Sequence, residues 1–152
     1  MQPSHPVRNR RVDEIAEALP QRASALSRLF ITHSSIEITR TEVGVLSALS
    51  ERPRRITELA AREGVTQPGI TMLVNRLERR GWVRRETDPG DARAVLVNLT
   101  GEGREVFATL RAEYRALLHE EMATLPDGDV DTLARAVEIL DDLIDRLTDR
   151  DP

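Results

Sequence analysis

Between residues 67 and 99 the spacing of apolar side chains changes once, from the period of a helix to the period of a strand, and few local folds accommodate that change. Ile70, Leu73, Val74 and Leu77 stand at steps of three, four and seven from the first, which puts them on one stripe of a helix ending near Gly81. From Trp82 the period is two: Trp82-Val83-Arg84-Arg85-Glu86 leads into the turn residues Asp88-Pro89-Gly90-Asp91, and Val95, Val97 and Leu99 alternate on the way back. Alternation on both sides of a Pro-Gly turn predicts a two-stranded hairpin directly after the helix.

The elements around this unit are read in the same way. Thr39 and Glu42 have the spacing of a capping box, and Val43, Leu46 and Leu49 follow at helical intervals, so a helix is expected to about Ser50, where Arg52-Pro53 stops it. Thr57 is the next expected N-cap, ahead of Leu59, Ala60 and Ala61, and Gly64 is placed as a C-terminal stop for a short helix. Thr66 then caps the helix of residues 67–80. Residues 13–34 are helix-like, with Ile15, Leu19, Leu26, Leu29 and Phe30 as apolar members and a bend expected near Leu19 because of Pro20. Beyond the hairpin Thr100 caps a helix over residues 102–125, Pro126-Asp127-Gly128 breaks it, and a last helix covers residues 130–147. Its Leu133, Val137, Leu140, Ile144 and Leu147 form the seam of a helix that packs on other helices.

Helix, short helix, tight turn, longer helix and hairpin make a winged helix-turn-helix, so the expected class is mostly α, within α+β. The expected divisions are an N-terminal helical region at 1–37, a winged helix-turn-helix domain at 38–101 and C-terminal helices at 102–152. All 22 basic residues are arginine and the net charge is −4, but the charge is unevenly spread. Residues 39–100 hold eleven arginines against eight acids, net +3, and the flanks carry net −7. A basic middle between acidic flanks suits a chain that turns one face to phosphate.

That arrangement can read double-stranded DNA if the exposed face of the longer helix is small and polar, since bulk there holds the helix out of the major groove. Gln67, Gly69, Thr71, Met72, Asn75 and Arg76 lie off the apolar stripe, and Gln67, Thr71 and Asn75 succeed one another at four-residue steps. Glutamine and asparagine pair with adenine edges, threonine meets a thymine methyl, and the helix start, Thr66 to Gly69 with Pro68 between, favours a phosphate. On the hairpin, Arg84, Arg85 and Arg93 can reach phosphates or a narrow minor groove. Asp91 would repel phosphate, so its expected task is to hold a neighbouring arginine and fix the wing.

In TEVGVL, ELAAREGVTQPGITMLVNRLERRGWVRR and DPGDARAVLVNLTGEG, residues 38–103 resemble the MarR family of bacterial regulators. The most specific part is the wing pattern D-P-x-D-x-R followed by V-x-L-T-x-x-G. The resemblance implies that both flanks, 1–37 and 102–152, are dimerisation regions of a homodimeric repressor on a pseudo-palindromic operator, released by a small aromatic or anionic ligand bound between the domains. The DNA-binding residues expected from it are Thr66, Gln67, Pro68, Gly69, Thr71, Asn75, Arg76, Arg84, Arg85, Asp91 and Arg93. Two departures remove positive charge: Ala92 stands where a second wing arginine is common, and Met72 where a basic residue is common. The emphasis on the wing therefore falls on Arg93.

The competing reading is a winged-helix protein-interaction module without DNA binding. Arg79 and Arg80 at a helix end, and Arg54 and Arg55, serve as solvated cations as readily as DNA contacts, and Trp82 is expected in the core or hinge. His5, His33 and His119 lack ligand spacing, and Asp141, Asp142, Asp145, Asp149 and Asp151 read as a solvated helix face and frayed end, so no metal is expected. With no cysteine and no catalytic motif, the chain is expected to be no enzyme and to hold no cofactor. The segment MQPSHPVRNRR leads into no signal-like apolar run, and no stretch approaches the roughly 20 apolar residues of a membrane span, so the expected location is the cytoplasm.

Overall fold

The computed structural model describes residues 6–149, so His5 and Asp151 and the start of the N-terminal segment discussed above lie outside the described residues. The described elements are α1 (Pro6–His33), α2 (Arg40–Glu51), β1 (Arg54–Arg55), α3 (Ile56–Glu63), α4 (Gln67–Arg79), β2 (Val83–Asp88), β3 (Asp91–Leu99), α5 (Gly101–Met122) and α6 (Asp127–Thr148). The chain divides into two compact units, Met1–Ala112 and Glu113–Pro152, with the boundary inside α5.

Three expectations need correction. The first helix begins at Pro6, earlier than expected, and continues through Pro20. A proline removes a single N–H donor, and its neighbours Ala16, Glu17, Ala18, Leu19 and Gln21 are strong helix formers that carry the helix on both sides. The cap of α3 is Arg55, not Thr57, because Arg54 and Arg55 are drawn into a strand and leave the sheet straight into the helix. There the Glu58 carboxylate accepts the Arg55 backbone N–H at 2.8 Å. Finally, the hairpin is a three-stranded antiparallel sheet in the order β1-β3-β2.

The remaining caps are as read, although α6 already starts at Asp127, so Asp127 and Gly128 lie inside it. Thr39 accepts the Glu42 N–H at 3.2 Å and Glu42 accepts the Thr39 N–H at 2.8 Å, which closes the capping box. Gly64 takes the left-handed conformation at φ 63°, where a side chain is strained, and lets Val65 N–H return to Ala60 O at 3.1 Å. Thr66 accepts the Gly69 N–H, and Thr100 accepts that of Gly103.

In the first unit Val45, Leu46 and Leu49 of α2, Leu59 of α3, Ile70, Leu73, Val74 and Leu77 of α4, Trp82, Val83, Val97 and Leu99 of the sheet and Leu110 of α5 are buried together. The register Val83 with Leu99 and Arg85 with Val97 sends Val83, Val97 and Leu99 to the core side. Among the described residues of the second unit, α6 buries no side chain. Large apolar groups are exposed along α1 (Val7, Val12, Ile15, Leu29) and along α6 (Val137, Ile144, Leu147). No described helix is long and apolar enough to cross a membrane.

Candidate nucleic-acid interface

The helix-turn-helix is held by the core stripe of α4, which leaves the opposite arc of that helix open. Gln67, Pro68, Thr71, Met72, Asn75, Arg76 and Arg79 are exposed and Gly69 is half-buried. Pro68 sits in the first turn, where the helix has no acceptor for its missing donor. The Thr71 hydroxyl donates to Gln67 O at 2.9 Å, so its methyl is the part most open to a partner. A shallow recess of about 450 Å³ is lined by Met72, Asn75, Arg76, Glu78 and Arg79.

Four of the expected contacts, Asn75, Arg76, Arg84 and Arg85, are already engaged within the fold. Asn75 Oδ1 accepts from an Arg85 guanidinium nitrogen at 2.7 Å, and Arg85 also pairs with Glu78, so β2 is tied to α4 through Arg85. Arg76 pairs with Glu42 at 3.3 Å. Glu42 is buried, and one carboxylate therefore caps α2 and anchors α4. On β2 Arg84 pairs with Glu86, and that bond is the largest cause holding the Glu86 carboxyl below its ordinary value.

The wing has its own clasp. Asp88 accepts the Gly90 N–H at 2.9 Å and two guanidinium bonds from Arg55, at 2.7 and 3.2 Å. The Arg55 bond, then the Gly90 N–H, keeps the Asp88 carboxyl below its ordinary 3.8. Asp91 lies 3.7 Å from the same Arg55 and accepts the Arg93 N–H at 3.1 Å. An arginine of β1 thus staples both ends of the turn between β2 and β3. Asp91 does face an arginine as expected, but the shorter bonds are those of Asp88, a residue that sequence reading took only as a turn former. Arg55 was equally hidden, because a two-residue strand has no period to detect.

Seven of the eleven arginines between residues 39 and 100 pair with carboxylates of the fold. Among the described residues, Arg40, Arg79, Arg80 and Arg93 make no ion pair. Arg80 is nevertheless structural: its guanidinium lies 3.7 Å from the centre of the Trp82 ring and donates to Glu37 O at 2.8 Å. Arg79 and Arg93 are exposed. Exposed ion pairs contribute about 0–1 kcal/mol, so phosphate can compete with Glu86 for Arg84, whereas the Arg85–Glu78 pair is part-buried. His33 is spent on Leu29 O at 2.8 Å, and among the described residues no group of His, Asp and Glu could hold a metal ion.

Comparison with known proteins agrees with this geometry. Residues 36–94 match the MarR family. An HTH-type transcriptional regulator of Mycobacterium bovis is 30% identical over 133 residues, 86% of this chain and 93% of that protein. One from Mycobacterium leprae is 36% identical over 87 residues, 57% of this chain and 61% of that one. Among solved structures, a mutant MarR from Escherichia coli superposes with a TM-score of 0.74 at 25% identity, covering 83% of this chain and 95% of that one. The transcriptional regulator BldR of Sulfolobus solfataricus gives 0.66 at 26% identity, covering 94% and 99%.

Proposed function

The chain belongs to the MarR family, and from that premise we propose that it is a homodimeric DNA-binding regulator of transcription that places α4 in the major groove and the β2–β3 wing against the flanking backbone. The observation that carries this is the α4 arc of Gln67, Pro68, Thr71 and Asn75, small or polar throughout and open to solvent, above a fully apolar buried stripe. The start of α4, where Thr66 accepts the Gly69 N–H, carries the positive end of the helix dipole and favours a phosphate, and Arg79, Arg84, Arg85 and Arg93 supply cations along the same region. Arg76 is assigned to the α2–α4 anchor and reaches DNA only by leaving Glu42. Asp91 serves by shaping the turn that presents Arg93.

Residues 1–37 and 102–152 are assigned to the dimer. The exposed apolar groups of α1 and α6 support this, since a seam such as Leu133, Val137, Ile144 and Leu147 gains only by covering itself. A twofold dimer then reads a pseudo-palindrome with half-sites about one helical turn apart. We assign it to the cytoplasm, where a bacterial chromosome lies, and propose repression relieved by a small aromatic or anionic ligand. A hollow of about 410 Å³ lined by Ser24, Ser27, Arg28, Ile31, Thr32 and Arg40 brings two cations to one opening and suits such an anion. Nothing in the site supplies chemistry to a substrate, and the reading includes no reaction.

A fluorescence titration tests the proposal, using a duplex selected from a random library by the wild-type protein and repeated between 50 and 200 mM salt. Affinity is expected to fall with a linear log–log salt slope. Arg93→Ala is expected to weaken all duplexes alike and reduce the slope by about 2 per dimer, at about 0.9 per phosphate contact in each protomer. Added benzoate, as a probe aromatic anion, is expected to loosen the complex. Unchanged affinity in Arg93→Ala would remove the wing from the interface, and no effect of benzoate would remove a pocket for such anions. Absence of any salt-dependent duplex binding would leave the protein-interaction module.

A further inference from the structure

We propose that Met72 is a specificity-determining residue that reads the 5-methyl group of a thymine in each half-site. This rests on the DNA-binding reading above and adds to it a base preference. Met72 is 67% exposed, the most exposed large apolar side chain of α4. Pro68, Met72, Asn75 and Arg79 succeed one another at steps of four, three and four, so Met72 stands on the open arc and not at the edge of the buried stripe. It also lines the recess shared with Asn75, Arg76 and Arg79.

The chemistry of that recess leaves an apolar reader room to act. Asn75 has its acceptor oxygen engaged by Arg85 at 2.7 Å, which leaves its amide nitrogen as the donor for a base edge. Arg76 is held by Glu42 at 3.3 Å. The two flanking polar groups are thus constrained, and between them stands an unbranched thioether with no hydrogen bond to satisfy. In the major groove the one apolar feature by which bases differ is the thymine methyl, and a flexible side chain can cover it without demanding an exact approach. Covering one methyl is worth about a fourfold change in affinity.

The test takes the duplex selected by the wild-type protein and replaces each dT by dU in turn, which removes the methyl and keeps the pairing. For wild-type protein one thymine in each half-site is expected to lose about fourfold on this change. Met72→Ala is expected to bind dT and dU duplexes alike at that position, with its salt slope unchanged. Met72→Arg, reselected on the random library, is expected to exchange thymine for guanine there, since arginine pairs with the guanine edge. If wild type and Met72→Ala respond equally to dU at every position while both bind the duplex specifically, the assignment of Met72 is wrong and the regulator reading stands. If neither binds duplex with a salt dependence, both fail together.

Discussion

The Asp88 carboxylate joins the wing turn to β1, accepting the N–H of Gly90 and two guanidinium nitrogens of Arg55. A carboxyl whose folded pKa lies below its unfolded one contributes stability above the unfolded value and loses it as pH falls through the folded value. For Asp88 the contribution is therefore complete above about pH 4 and fades at more acid pH, as the group is protonated and releases Arg55. Carboxyl carbon NMR titration is expected to place Asp88 below the ordinary aspartate range, and Arg55→Ala is expected to raise it toward 3.8. An Asp88 that titrates identically in both proteins would show that the clasp does not form. None of this was legible in the sequence, where Asp88 and Arg55 are 33 residues apart with no local pattern joining them. Caps were legible because they are local: Thr39, Thr66 and Thr100 each bond an N–H three residues on.

At the scale of elements, the boundary between β3 and α5 is set by one close approach. A Cβ at Gly103 would lie 1.9 Å from the Trp82 carbonyl oxygen, an atom that already accepts the Thr100 N–H at 3.1 Å. Backbone stands against backbone there, so the first turn of α5 can come down on the start of β2 only with glycine at that position. Gly103→Ala is expected to cost about 1–3 kcal/mol in denaturant unfolding, by the same overpacking that penalises an added methyl in a filled core. A loss below 0.5 kcal/mol, roughly the scatter of neutral surface changes, would contradict this contact. The helices and the hairpin were readable from periodicity, since α2, α4 and β2–β3 each have one buried and one open side. β1 was not, because two arginines carry no alternation and pair with β3 only once the chain has folded back. Pro20 did not mark an element boundary for the opposite reason: the helix formers on both sides of it keep α1 continuous.

For the whole molecule, charge and exposed apolar surface are unevenly spread: residues 39–100 carry net +3, the flanks carry net −7, and α1 and α6 leave large apolar groups exposed. The net +3 of residues 39–100 is mostly spent internally, with seven arginines matched to carboxylates, so attraction to DNA rests on a few free cations and on pairs that phosphate must open. Division into functional segments could be proposed from the sequence because composition shifts along the chain, whereas pairing between copies leaves no trace in one chain beyond an unburied stripe. The most direct measurement is a hydroxyl-radical footprint of the full chain on its selected duplex, with its mass in solution taken at the same concentration. A dimer is expected that protects two patches about one helical turn, 34–36 Å, apart on the same face of the duplex. A monomer protecting one patch, or protein bound with no protected patch, would contradict it.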